Sequence, residues 1–249
     1  MGEGLTIPRS LALCYHAIAD DWDDRLAVTP AAFAQQIKAF ARGRRGGTAE
    51  DVLERRRGVL HVTFDDALAS MLAAIPVIER HSVPSTVFAC ASYGDARPLS
   101  VPELSGKRYS KTGLRTLTWD ELRALRERDI EIGSHTMTHP HLTQLSDAEL
   151  ERELIEARSR IEDEVGVRCR FLAYPYGDVD ERVRAVARRA GYVAAFGLPG
   201  TPGDTFDYPR IGIYRRDGVT RAWLKSSTAA RALAGQLTVP RSSGNSPMG

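Results

Sequence analysis

Short, nearly continuous apolar runs alternate with helical patterning along almost the whole chain, and this alternation constrains the fold more than any other feature. Residues 11–15, 59–64, 86–91, 130–134, 171–174, 192–196 and 209–213 read as strands. A strand with one wet face alternates apolar and polar side chains. Several of these runs do not, so both faces are covered, as in a parallel sheet wrapped by helices. The intervening segments carry helix signals. Thr29-Pro30 reads as an N-cap followed by a first-turn proline, opening a helix to residue 41. Residues 67–81 form another helical stretch, which Pro76 must kink or divide. Thr118 with Glu121, and Ser146 with Glu149, fit capping boxes. The helix over 179–190 ends at Gly191, a C-cap residue, and 219–234 reads as the last helix.

Strands alternating with helices predict an α/β fold with a parallel sheet, and seven or so strands suggest a barrel, whether complete or not. A chain of 249 residues suffices for one such domain or for two small ones. One domain over 1–240 is expected, with a Ser-, Gly- and Pro-rich tail at 241–249 expected to be disordered. Residues 92–116 are too long for a routine connection and are expected to form an active-site lid or a disordered insertion.

Charge excludes some functions. Lys and Arg total 34 against 32 Asp and Glu, a net charge of +2, which is no nucleic-acid footprint. The arginine clusters at 42–45 and 55–57 read as solvated loop and helix ends. Three cysteines, Cys14, Cys90 and Cys169, lie in or beside apolar runs and are expected to be buried free thiols. No window approaches a membrane span, and Met1 to Ser10 lack a basic segment followed by an apolar stretch. A cytoplasmic protein is the expectation.

Two motifs bear chemistry. Asp65-Asp66 follows the run ending Val62-Thr63-Phe64. His135 and His139 lie in Gly133-Ser134-His135-Thr136-Met137-Thr138-His139-Pro140, after Ile130-Glu131-Ile132. In a parallel barrel, catalytic groups gather where strands end, so both motifs should reach one rim. If the second segment turns helically, its two imidazoles share a face. Two imidazoles and one carboxylate hold a divalent ion and leave positions open for water and substrate. The other carboxylate remains to act as a base. Alone, an Asp pair is usually a turn and a His-x-x-x-His a solvated helix face. Together at strand ends they predict a metal-dependent hydrolase.

These residues resemble the polysaccharide deacetylases, the NodB-homology or carbohydrate esterase family 4 enzymes, from about Leu11 to Tyr214. The matching text is Thr63-Phe64-Asp65-Asp66, Pro84-Ser85-Thr86-Val87-Phe88, the Gly133–Pro140 segment and Ala173-Tyr174-Pro175-Tyr176-Gly177. The early Tyr15-His16 and the Ala-Tyr-Pro-Tyr-Gly form are similar to members that deacetylate poly-N-acetylglucosamine. The resemblance implies a distorted (β/α) barrel, with Asp65 as base and Asp66, His135 and His139 as ligands of one divalent ion, usually zinc. It implies that Tyr174, Pro175 and Tyr176 wall the substrate groove, the Tyr176 amide helping to bind an oxyanion. The implied substrate is an N-acetylated amino sugar, as polymer or small conjugate. The alternatives are a deacylase or esterase on a non-polymeric metabolite, and a catalytically silent carbohydrate binder.

The chain departs from the family pattern in three places. An Arg that orients the base is replaced by Ala173, and Arg210 is the candidate substitute. The first motif usually ends in Gly where Ala67 stands. A late catalytic-acid His is missing, since no histidine follows His141, and His16 is the candidate acid or substrate-facing group. His61 reads as a packed core residue, His141 as unable to share a helical face with His139. Trp119 and Trp223 read as helix packing, and Trp22 as a loop residue able to touch substrate.

Overall fold

The computed structural model describes residues 10–100 and 114–226, and every region read as a strand carries one. In chain order the strands are β1 (Leu11–Tyr15), β2 (Ala17–Ile18), β3 (Ala27–Val28), β4 (Arg45–Gly46), β5 (Val59–Phe64), β6 (Ser85–Ala89), β7 (Glu131–Ser134), β8 (Phe171–Ala173), β9 (Ala194–Gly197), β10 (Tyr208–Pro209) and β11 (Ile211–Gly212). The helices are α1 (Pro30–Phe40), α2 (Ala49–Leu53), α3 (Ile75–Arg80), α4 (Trp119–Arg126), α5 (Asp147–Glu151), α6 (Ala157–Val165), α7 (Glu181–Arg189) and α8 (Val219–Ser226).

The main sheet runs β10-β9-β8-β7-β6-β5-β1-β11, all parallel, with β4 added beside β5. The expected single strand over 209–213 is two short ones. They are consecutive in the chain, with only Arg210 between them, yet they pair with opposite ends of the sheet. Tyr208 lies beside Phe196, and Ile211 beside Leu13. The chain therefore crosses the seam of a nearly closed barrel at Arg210.

Parallel register sets the rim. Tyr15 is level with Phe64, Phe64 with Val87, Ala89 with Ser134, and Ser134 with Leu172. His16, Asp65 and His135 each follow the last residue of a strand, and Tyr174 follows β8, so all four emerge at the same end.

Local chemistry explains the helices. Thr29 Oγ1 accepts from Ala32 N at 3.2 Å at the start of α1, and Phe33, Gln36, Ile37 and Phe40 form its buried stripe. Capping boxes open α4 and α5 as expected, and a third, Thr48 with Asp51, opens α2. Pro76 divides the 67–81 stretch into a 3-10 turn, Ala69–Ala74, and α3. Asp180 Oδ1 caps α7 by accepting from Val183 N at 2.8 Å, and Gly191 follows with φ 86°. Between α5 and α6 lies a π-turn, Arg152–Glu156, an uncommon device often found beside functional sites.

The largest apolar cluster lies between sheet and helices. A smaller one joins Phe88, Phe171, Ala173, Ala194 and Phe196. Gly133 is required there: a β-carbon would sit 2.6 Å from the Phe88 ring. His61 is a core residue as expected, its Nδ1 2.9 Å from Gly47 O and its Nε2 3.0 Å from Thr86 Oγ1. All three cysteines are buried and free.

The flanks of the long 92–116 segment are tied down by antiparallel bridges from Pro98 to Arg115 and from Asp95 to Thr118. Its centre, the rest of the helix expected over 219–234, and the tail at 241–249 lie outside the described residues. No helix among the described residues is long and apolar enough to cross a membrane. Trp119 packs as expected. Trp223 does not: it is 57% exposed on α8.

Candidate metal centre and active site

Asp66, His135 and His139 converge as buried side chains whose ligand atoms all lie within 4.8 Å of one another. His139 Nε2 is 3.2 Å and His135 Nε2 3.5 Å from Asp66 Oδ1. That oxygen is buried and accepts no well-formed hydrogen bond. A buried carboxylate oxygen left so is costly unless something else satisfies it. Two imidazole nitrogens and a carboxylate turned toward one point suit a divalent ion such as zinc.

The other ring nitrogens are held from behind. His135 Nδ1 lies 2.8 Å from Ala173 O, and His139 Nδ1 lies 3.1 Å from the Tyr176 hydroxyl. Such contacts fix ring orientation and tautomer in metal sites.

The backbone that aims these rings is not the helical turn anticipated from their spacing. Thr136 and His139 have φ values of 68° and 67°. Thr136 Oγ1 accepts from His139 N at 3.1 Å. Glu153, from the π-turn, accepts from the Met137 and Thr138 amides at 2.9 Å each and from Thr138 Oγ1 at 2.6 Å. Among the described residues, nine non-glycines have positive φ, and Asp66, Ala67, Thr136, His139 and Tyr176 are five of them. This concentration of left-handed backbone in the three motif segments marks a site held by its surroundings. Ala67, at φ 47°, also explains why glycine suits that position.

Asp65 stands beside Asp66 but is bound differently. Arg210 grips it with both arms, Nη1 to Oδ1 at 2.5 Å and Nη2 to Oδ2 at 2.8 Å. Cys14 Sγ lies 3.3 Å from Oδ2. Arg210 is itself fixed by Thr63 Oγ1 at 3.0 Å and Gly197 O at 3.3 Å. The seam of the barrel thus delivers the guanidinium to the carboxylate where Ala173 cannot. Cys14, His16 and Asp65 also cluster within 4.8 Å, but the guanidinium already on Asp65 opposes a second cation there.

Charge states follow. Burial pushes the Asp65 carboxyl up, but the charge and hydrogen bonds of Arg210, helped by His135 and His16, together outweigh it and bring the pKa down to about 2. Asp66 is likewise raised by burial, yet its neighbouring histidines, His139 foremost, hold it well below the usual carboxylate range. Burial lowers His135 to about 4, favouring the neutral ring that a metal needs. Burial also acts to lower His139, but the Asp66 carboxylate overrides it and raises the pKa.

These groups open into a pocket of about 300 Å³ lined by His16, Asp65, Asp66, His135, His139, Tyr174 and Tyr176, among others. His16 Nδ1 is buried without a hydrogen-bond partner, and its ring stacks on Tyr214 with centroids 6.3 Å apart. Tyr174 faces the pocket while its hydroxyl donates to Phe206 O at 2.7 Å. Pro175 is buried between the two tyrosines and is not among the lining residues. Trp22 does not reach the pocket as anticipated. It is buried against Ala17, Leu68 and Leu99, and the same loop contributes Asp24, Arg25 and Leu26 to the wall instead. Cys14, Glu153, Leu99, Leu198 and Tyr214 also surround the site, yet none of them belongs to a recognisable short motif that would signal it.

The sequence profile of the polysaccharide deacetylase family matches residues 53–195, more than half of the chain. The chain belongs to the polysaccharide deacetylase family. It is 26% identical over 172 residues to a chitooligosaccharide deacetylase of Sinorhizobium fredii, covering 67% of this chain and 66% of that protein. It is 39% identical over 75 residues to chitin deacetylase 1 of Cryptococcus neoformans, covering 30% of this chain and only 16% of the relative. Among solved structures, the Streptococcus pyogenes deacetylase PplD superposes with a TM-score of 0.73 at 18% identity, covering 89% of this chain and all of that one. IcaB from Ammonifex degensii gives 0.71 at 20% identity, over 88% of this chain and 98% of that one. These likenesses establish the NodB-like (β/α) barrel.

Proposed function

We propose that the protein is a metal-dependent hydrolase that removes the acetyl group from an N-acetylated amino sugar. The observation that carries this reading is the pairing in one pocket of an open Asp66–His135–His139 site with a second carboxylate, Asp65, kept ionised by Arg210. A mere binder has little need of that second carboxylate. A divalent ion held there, zinc in our reading, supplies Lewis acidity to an acyl carbonyl and acidity to water. Asp65 takes the proton of the attacking water, and Arg210 fixes its orientation. The Tyr176 amide donates to the oxygen that becomes negative as the carbonyl turns tetrahedral. His16, at the pocket wall, gives a proton to the departing nitrogen as the C–N bond breaks. The products are acetate and a free amine.

Chitooligosaccharide-like substrates are the first choice, on the strength of the Sinorhizobium relative's name. Acetate release should be measured from N-acetylglucosamine oligomers, the monomer and small conjugates. The expected result is release by wild type, lost in Asp65→Asn without loss of bound metal, and reduced in His16→Ala. No release from any acyl substrate by metal-loaded wild type would overturn the proposal.

A further inference from the structure

Tyr176 and His141 stand beside the site, and the chemistry above gives their side chains no task. The Tyr176 ring meets the His139 ring edge-on, with centroids 4.7 Å apart, and its hydroxyl lies 3.1 Å from His139 Nδ1. The His141 ring stacks on Tyr176, at 4.1 Å and 16° between planes. His141 Nδ1 is in turn 3.8 Å from Asp178 Oδ2, and Asp178 is anchored by the Thr143 amide and hydroxyl at 2.9 Å. Tyr176 takes up this position at φ 60°, a backbone state a tyrosine rarely adopts.

The two site histidines are therefore secured by partners of different kinds. His135 leans on the Ala173 carbonyl, which no substitution removes. His139 leans on a side chain. For His139 Nε2 to offer a lone pair toward the Asp66 side, the proton must sit on Nδ1 and be donated to the Tyr176 oxygen. Without that acceptor the ring loses the bond that selects both its tautomer and its rotation.

We propose that the Tyr176 side chain, braced by His141, is a positioning residue for His139 and thereby sets the affinity of the Asp66–His135–His139 site for its ion. This rests on the metal-site reading above, and it is separate from the role given to the Tyr176 backbone amide, which Tyr176→Phe leaves in place. The test is zinc affinity by chelator competition, together with melting of the metal-free protein. Tyr176→Phe should weaken zinc binding by about 10- to 100-fold, the usual effect of losing such a partner, with metal-free melting unchanged. His141→Ala should weaken binding to a smaller degree, and His141→Phe, which keeps the stacked face, should restore it. A Tyr176→Phe affinity within twofold of wild type, while Asp66→Ala abolishes binding, would overturn the positioning role alone. Wild-type binding no tighter than that of Asp66→Ala would overturn the metal site and this proposal with it.

Discussion

Replacing Arg210 by Met should make stability depend on pH in a way the wild type does not. Asp65 sits at about 2 in the folded protein against an ordinary 3.8, so its ionised form contributes roughly 2 kcal/mol above pH 3.8, lost as pH falls through 2. Between pH 4.5 and 7.5 the carboxyl is ionised in both folded and unfolded wild type and adds no slope. Without the guanidinium, burial is left to act and lifts the folded carboxyl above its unfolded value. The sign then inverts: the variant is penalised increasingly as pH rises, because the unfolded chain releases the proton more readily. Breaking a buried ion pair costs about 3–5 kcal/mol, and that loss should be reached near neutral pH. Near pH 4.5 it should shrink toward the smaller, pH-independent cost of the bonds to Thr63 and Gly197. Urea unfolding of metal-free wild type and Arg210→Met across this range measures the difference. In an Asp65→Asn background, the pH dependence of the Arg210→Met cost should vanish. A pH-independent difference, or one below about 1 kcal/mol at pH 7, would show that Arg210 does not hold the Asp65 charge in this way.

Three further substitutions probe the frame. His61 is held neutral by burial, to about 4 against 6.5, so stability present above pH 6.5 should be lost on acidification toward pH 4, by about 3 kcal/mol; His61→Leu should flatten that limb in urea titrations, at a fixed cost for unpartnering Gly47 and Thr86. Gly177→Ala puts a β-carbon 2.3 Å from the Leu198 carbonyl oxygen at φ 70°, and should lower stability by more than about 2 kcal/mol. Gly166→Ala, at φ 73° but in open space, should cost only about 1 kcal/mol in the same melting assay.

Much of the barrel was legible because its signals are local. Buried parallel strands such as Val59–Phe64 declare themselves by apolar continuity, and helices such as Trp119–Arg126 by their caps. The seam was not legible. Residues 209–213 form one apolar stretch broken by Arg210, and nothing local indicates that its halves pair with opposite ends of a sheet. The candidate ligands were legible as residue types at strand ends, but their geometry was not. Spacing suggested a helical face, whereas left-handed backbone at Thr136 and His139, held by Glu153 from the π-turn, turns the rings inward. Neither threonine nor histidine announces positive φ. Nor could the helical-face argument place His141: no helix forms here, and its stacking partner Tyr176 lies 35 residues further along the chain.

The most direct test of the central claim is metal content by elemental analysis of wild type and Asp66→Ala, each purified with zinc and then desalted. Wild type should carry one ion per chain and the variant none, with both proteins folded. Equal metal in the two, or none in either, would contradict that claim.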